Sequence, residues 1–253
     1  MRRIRLTNPP QADGLVTFAP PEAHYAARVL RLRVGDEVAA FDGHGGEWHV
    51  RLIAVAPDRV RGELIAAVAT TGSSQLPLIL GQALPNKSSK MDLIVEKGSE
   101  LGLTTLAPLY TERTVVREAL GRTETKLSRW CRIAEAAARQ CGRRVLLDIK
   151  PPQSLSDFCA AYQSALTKII CWEEESHHGI RDVLEAPMPS GPVAVLVGPE
   201  GGWTEQEVAQ ALAHGFVAVS LGPRILRTET AAVTLISLIR YAQGELGPLG
   251  QRG

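Results

Sequence analysis

From Leu76 onward the chain alternates short apolar runs with amphipathic stretches, and this alternation limits its fold more than any other feature. The run Val193-Ala194-Val195-Leu196-Val197 has no polar residue at every second position. Such a run suits a strand buried on both faces, as in a parallel sheet covered by helices. Similar strands are expected at Leu76–Gly81, Leu106–Leu109, Lys168–Trp172 and Phe216–Leu221. Between them, Met91, Ile94, Val95 and Leu101 recur at helical spacing, with Ser89 as the expected cap, Asp92 reaching back to it, and Gly102 as the terminator. A longer helix is expected over Thr123–Cys141, with Leu127, Trp130, Ala134, Ala137 and Cys141 on its apolar side. Lys126, Arg129, Arg132 and Arg139 would lie on the exposed one.

The first seventy residues have a different texture. Strand-like segments at Gly14–Phe18, Glu37–Phe41, Glu47–Ile53 and Arg59–Ile65 are separated by turn signals at Val34-Gly35-Asp36 and Asp42-Gly43-His44-Gly45-Gly46. One helix is expected between them, Pro21–Leu32. The pattern predicts a small β-barrel, joined through a linker at Ala69–Gln75 to an α/β domain. Trp48 and Trp130 read as core residues, given their apolar neighbours.

Composition narrows the class. The chain has 253 residues, 45% hydrophobic and 22% charged, with a net charge of +1, so a charged disordered tail and a highly basic coat protein are both excluded. The near-neutral total conceals zones: residues 1–35 carry six arginines against two acids, residues 111–150 ten basic residues against five acids, and residues 173–210 eight acids against Arg181. Two basic zones and one acidic zone fit a polyanion touching part of the surface, and also fit solvated faces with local ion pairs. The basic start lacks the apolar run of a signal peptide, and no apolar run is long enough for a bilayer. A soluble, intracellular, cytoplasmic protein with no membrane partner is therefore expected. Cys131, Cys141, Cys159 and Cys171 form no C-x-x-C pair and read as reduced thiols, and the histidines offer no metal-ligand spacing, so no metal is expected.

The chemistry concentrates in the last two strand–loop–helix units. In the first, Val193–Val197 leads into Gly198-Pro199-Glu200-Gly201-Gly202-Trp203, then a helix opened by the capping pair Thr204 and Glu207 and closed by Gly215. In the second, Phe216–Leu221 leads into Gly222-Pro223-Arg224-Ile225-Leu226-Arg227, then a helix from Thr228 or Glu229 to about Gln243. Ligands of parallel sheets bind beyond the carboxyl ends of the strands, where both loops belong. Neither loop has the P-loop or G-x-G-x-x-G pattern, and no G-x-S-x-G elbow, kinase or zinc deaminase pattern occurs. A carboxylate at Glu200, just before a helix N-terminus, disfavours a phosphate there and suits an uncharged or partly cationic ligand.

Val197–Gly202 together with Leu221–Ala231 resembles the two signature motifs of the ribosomal small subunit methyltransferase E family, of the SPOUT class. The resemblance extends through His24–Asp36, Phe41-Asp42-Gly43, Lys97–Gly102, Glu112-Arg113 and Gln140–Arg143. One departure is Arg139, where the family often carries Glu, so no role of that Glu is carried over. The resemblance implies a PUA-like RNA-binding β-barrel over 1–72 and a methyltransferase domain over 73–253, whose parallel sheet holds a trefoil knot. It implies a homodimer that uses S-adenosyl-L-methionine to methylate N3 of one uridine in 16S rRNA of the small ribosomal subunit. Gly198, Glu200, Gly201, Leu221, Gly222, Ile225, Leu226 and Arg227 would then cradle the cofactor.

Within that frame Arg227 is the candidate for stabilising charge on the uracil oxygens, or else it pairs with a carboxylate such as Glu229. Glu200 is a candidate ribose acceptor, sulfonium partner or base, or else it binds only nearby amides. Arg3, Arg5, Arg31 and Arg33, with Lys87 and Arg113, are candidates for RNA phosphates, in which case binding weakens steeply with salt; plain surface solubility is the rival for the arginines. Two other functions stay open: methylation of another rRNA or tRNA position, and an RNA-binding ribosome assembly factor with a silent cofactor site.

Overall fold

The computed structural model describes residues 1–69, 76–114, 120–185 and 190–247, without side chains at 120–122. Residue contacts divide the chain into two units, Met1–Ser74 with Ala136–Leu146, and Gln75–Glu135 with Leu147–Gly253. The linker expected at 69–75 lies, apart from Ala69, outside the described residues, as does the domain boundary at 72 and 73.

The first unit is built on a five-stranded sheet. Its strands are β1 (Arg2–Arg5), β2 (Leu15–Phe18), β3 (Glu37–Phe41), β4 (Glu47–Val55) and β5 (Val60–Ala67), in the order β1-β3-β4-β5-β2. β1 runs parallel to β3, and the remaining pairs are antiparallel. The sequence reading did not include β1, although Ile4 and Leu6 alternate there and both are buried. The helix expected over Pro21–Leu32 is shorter: α1 (Glu22–His24) passes into a π-helical turn at Tyr25–Val29. It stops because Arg31 turns left-handed at φ 53° and the N–H of Leu32 returns to the carbonyl of Ala26, which lets Leu32 reach the core. That core gathers Ile4, Val16, Phe18, Val38, Val50 and Leu52, with the half-buried Trp48 against it.

The second unit holds a seven-stranded parallel sheet. β6 (Leu78–Ala83), β7 (Thr105–Tyr110), β8 (Asp148–Ile149), β10 (Thr167–Cys171), β11 (Val193–Val197) and β12 (Val217–Val219) follow the order β12-β10-β11-β6-β7-β8, and β9 (Gln153–Ser154) also pairs with β7. The helices are α2 (Ser88–Glu100), α3 (Leu120–Cys141), whose residues from Ala136 onward belong to the first unit, α4 (Leu155–Ala161), α5 (Ile180–Leu184), α6 (Glu205–Ala213) and α7 (Thr228–Ala242). Alternate residues of the buried strands feed two cores. Leu78, Leu80, Val193, Val195 and Val197 meet Met91, Ile94, Trp130, Leu235 and Ile236, whereas Ile79, Ala194 and Leu196 meet Phe158, Val208, Ala211 and Phe216. Burial on both faces is why these strands read as unbroken apolar runs.

Helix ends largely follow local signals. Gly102 takes φ 84°, and the N–H groups of Gly102 and Leu103 return to the carbonyls of Ser99 and Gly98, closing α2. The start of α2 departs from expectation. Lys87 occupies the cap position without a side-chain bond, Ser89 lies inside the first turn, and Asp92 is drawn away by a two-pronged pair with Arg129. Cys141, expected on the apolar side of α3, is exposed, and Arg139 is half-buried with its guanidinium 4.7 Å above the Tyr25 ring. None of the four cysteines is in a disulfide. Among the described residues no helix is long and apolar enough to cross a membrane, and no group of three or more His, Cys, Asp or Glu is placed to hold a metal.

Phe158 is fully buried and its ring packs tilted against those of Tyr162 and Phe216, with centroids 4.8 and 6.3 Å away. Phe158→Ala should therefore lower unfolding free energy in urea by about 3–5 kcal/mol; a loss below about 1 kcal/mol would contradict tight packing on this face of the sheet.

Candidate functional site

The carboxyl ends of β10, β11 and β12 open on one side of the sheet, and the loops that follow them enclose a cavity of about 700 Å³. That is within the range of about 300–1,000 Å³ typical of small-molecule sites. The β11 and β12 loops were expected there. The third wall, Trp172–Gly179 after β10, was not, because its acid-rich sequence reads as a solvated stretch. It is bound to the end of β12 by bonds from Ile180 N–H to the Ser220 carbonyl and from Ser220 N–H to the His178 carbonyl, 2.9 Å each.

Buried contacts fix the β11 loop. The capping box of Thr204 and Glu207 forms as expected and starts α6. Trp203 is buried and its Nε1–H donates to the Cys171 carbonyl at 3.0 Å, tying the loop to the end of β10. Gly202 has φ 73°, and a Cβ there would fall 1.8 Å from a Glu173 carboxylate oxygen, so any other residue would strain the backbone and require Glu173 to swing aside. Thr228, the first residue of α7, donates from Oγ1 to the Gly198 carbonyl at 2.6 Å and accepts from Nε2 of the fully buried Gln82 at 2.9 Å. Neither Gln82 nor Thr228 was singled out from sequence. The signal available was one amide within the otherwise apolar strand Leu78–Ala83.

Of the residues expected around a cofactor, Gly198, Glu200, Leu221, Gly222, Ile225, Leu226 and Arg227 border the cavity. Gly201 does not line it: its carbonyl accepts from the Arg113 guanidinium at 2.7 Å. Leu221 and Leu226 are half-buried against the core, and Ile225 is 89% exposed. The backbone N–H and C=O groups of Leu221, Ile225 and Leu226 have no partner among the described residues, which leaves them available to a ligand.

Glu200 is held from two sides. Lys90 lies 2.9 Å from its Oε1, and the N–H of Asn86 reaches both oxygens at 3.1 and 3.2 Å. Partial burial pushes its pKa up, but the Lys90 hydrogen bond and the backbone N–H groups outweigh burial and leave the carboxyl below its ordinary range. Glu200 therefore stays ionised and is poorly suited to take a proton. Lys90 was not identified from sequence; it also approaches Glu229 at 3.5 Å. The expected alternative pair between Arg227 and Glu229 is not formed. Arg227 caps α7 in extended conformation, is exposed, and its guanidinium has no hydrogen-bond or ion-pair partner among the described residues. Cys171 borders the cavity too, but burial pushes its thiol up to about 12, so it offers no thiolate.

The RNA candidates divide. Arg3 is turned inward: its guanidinium binds Glu47 at 2.6 Å and the carbonyls of Ala138 and Arg143 at 2.9 and 3.0 Å, and lies 4.6 Å over the Phe41 ring. These contacts give Arg3 a structural role that the reading from charge alone did not include. Arg5 is half-buried, while Arg31, Arg33, Lys87 and Arg113 are exposed.

Because Thr228 Oγ1 joins the buried Gln82 amide to the half-buried Gly198 carbonyl, Thr228→Val should cost about 1–3 kcal/mol in urea unfolding, with Thr228→Ser recovering most of it. Equal stability of the valine variant would mean that this relay carries no weight.

Comparison with known proteins adds an independent line. The signature of an RNA methyltransferase domain matches residues 72–240, and that of an RNA methyltransferase PUA domain matches residues 18–65. A ribosomal RNA small subunit methyltransferase E from Synechocystis is 34% identical over 228 residues, 90% of this chain and 73% of the relative. A methyltransferase from Legionella pneumophila, solved with bound S-adenosylmethionine, superposes with a TM-score of 0.86 at 30% identity, covering 95% of this chain and 97% of that one. A ribosomal RNA small subunit methyltransferase E from Neisseria gonorrhoeae bound to S-adenosyl methionine gives 0.85 at 32% identity, covering 95% and 97%.

Proposed function

The chain belongs to the RNA methyltransferase family, and from that premise we propose that it methylates N3 of one uridine in 16S rRNA of the small ribosomal subunit. The observation that carries this reading is the cavity at the ends of β10, β11 and β12. It pairs unpartnered backbone groups at Leu221, Ile225 and Leu226 with an unpartnered guanidinium at Arg227. S-adenosyl-L-methionine supplies a methyl group already activated on a sulfonium, so no covalent nucleophile is required of the protein. The residues present suit it: backbone donors and acceptors for an adenosine, the carboxyl side chains of Glu173 and Glu200 beside the cavity for a cation, and no phosphate-binding glycine pattern.

What remains for the protein is alignment of N3 and stabilisation of charge as N3–H ionises. Arg227 is placed for the second task because nothing else claims its guanidinium, and negative charge spreading onto the uracil carbonyl oxygens is what it would meet. Glu200, clamped as a carboxylate by Lys90 and Asn86, acts through its charge and not as a proton acceptor. Gly198, Gly201 and Gly222 serve the cradle through their backbone, Gly201 from behind, where Arg113 holds its carbonyl.

The wider reading takes residues 1–72 as the RNA-binding PUA-like barrel and 73–253 as the methyltransferase domain with a trefoil knot, working as a cytoplasmic homodimer. The PUA signature over 18–65 supports the first part, and the meeting of three loops beyond β10, β11 and β12 supports the second. Arg5, Arg31, Arg33, Lys87 and Arg113 are the proposed RNA phosphate contacts.

The test is nucleoside mass analysis of small ribosomal subunits lacking this modification after incubation with the protein and S-adenosyl-L-methionine. N3-methyluridine in 16S rRNA is expected; methyl on a ribose or on another base would contradict the reading, as would failure of the cofactor to bind in calorimetry. Arg227→Ala should lower the transfer rate about 10²–10³-fold with cofactor affinity unchanged. A near wild-type rate would remove its catalytic role.

A further inference from the structure

Lys90 projects from the first turn of α2 and lies between two carboxylates from separate parts of the site. Its ammonium is 2.9 Å from Glu200 Oε1, in the loop after β11, and 3.5 Å from Glu229 Oε2, in the first turn of α7. The three side chains are only 22%, 24% and 16% exposed. Glu229 Oε2 is buried and has no hydrogen-bond partner among the described residues, so Lys90 is the cation that compensates it. Glu200 differs in having a second anchor, the N–H of Asn86. Without Lys90, two carboxyl groups would stand near each other in a partly desolvated place with no cation between them, which favours their separation.

What these carboxylates are attached to gives the arrangement its meaning. Glu200 is two residues from Gly198, and Glu229 is two residues from Arg227; both Gly198 and Arg227 border the cavity, as does Lys90 itself. We infer that Lys90 is a positioning residue of the transfer site. By clamping Glu200 to Glu229 it sets the separation between the cofactor cradle and the guanidinium that meets the acceptor base. It also sets the charge of the cluster at −1, with one cation against two carboxylates. The ammonium is held above its usual range by its hydrogen bond to Glu200, so it stays charged through neutral pH and is not a proton acceptor. The inference rests on the reading that this cavity takes S-adenosylmethionine.

The experiment uses the full-length chain and compares wild type, Lys90→Met and Lys90→Arg. The readouts are single-turnover methyl transfer to small subunits and calorimetric affinity for S-adenosylmethionine and S-adenosylhomocysteine. These two ligands differ by the methyl group and its positive charge. Lys90→Met should lower the transfer rate about tenfold or more through lost alignment. It should also raise the ratio of S-adenosylmethionine to S-adenosylhomocysteine affinity by about 2- to 5-fold, because a cation beside the cavity is gone. Lys90→Arg should keep both values near wild type. A merely structural lysine would not move the affinity ratio.

An unchanged rate and ratio in Lys90→Met would overturn the inference while leaving the function intact. Failure of the wild type to bind either ligand would instead overturn the functional reading beneath it. If Lys90→Met does not fold, Glu229→Gln decides: it leaves Lys90 on Glu200 but releases α7, and a several-fold slower transfer is expected. A wild-type rate in Glu229→Gln would overturn the inference.

Discussion

A hydrogen-bond relay through buried atoms holds the site together: Gln82 Nε2 donates to Thr228 Oγ1, which donates to the Gly198 carbonyl. It joins a central strand, the start of the last helix and the first glycine loop, with its Gln82 end fully buried and its Gly198 end at the wall of the cavity. A buried donor or acceptor that loses its partner costs more than an exposed one gains by having it, so the relay strongly constrains the register of α7 against β6 and β11. Because Arg227 immediately precedes Thr228, the position of the guanidinium follows from that register. The apolar burial of β6 and β11 on both faces supplies the rigid frame in which so small a set of polar contacts can be specific.

Electrostatics then sorts the charged residues around the cavity into two kinds. Glu200, Glu229 and Lys90 satisfy one another and hold loops in place. Arg227 is left without a partner, and an unpaired guanidinium at the mouth of a cavity is available to a ligand. Arg113 stands between these cases, with one nitrogen on the Gly201 carbonyl and its side chain exposed.

Features set by neighbours in sequence were the ones readable from it. The capping box of Thr204 with Glu207 and the left-handed ends at Gly102 and Gly215 depend on contacts within a few residues, and the strand Val193–Val197, although paired with distant strands, shows in its unbroken apolar run. Features set by distant partners were not readable. Gln82 finds Thr228 across 146 residues, and Asn86 finds Glu200 across 114, and neither has a local pattern. Ser89 with Asp92 imitated a capping box because nothing local revealed that Arg129 competes for that carboxylate. Arg3 was read as a surface charge because composition does not say which side of a strand faces Glu47 and Phe41. The loop 172–179 was overlooked for a related reason: its acids look like solvent-facing residues until β10 is placed between β11 and β12.

The account stands on the three loops after β10, β11 and β12 forming one receptor for a sulfonium methyl donor, and a crystal structure of the protein grown with S-adenosylmethionine tests this most directly. It should show the adenosine hydrogen-bonded to the backbone of Leu221, Ile225 and Leu226, with the methyl directed toward the space in front of Arg227. Electron density for the cofactor elsewhere on the molecule, or none at all at saturating concentration, would contradict it.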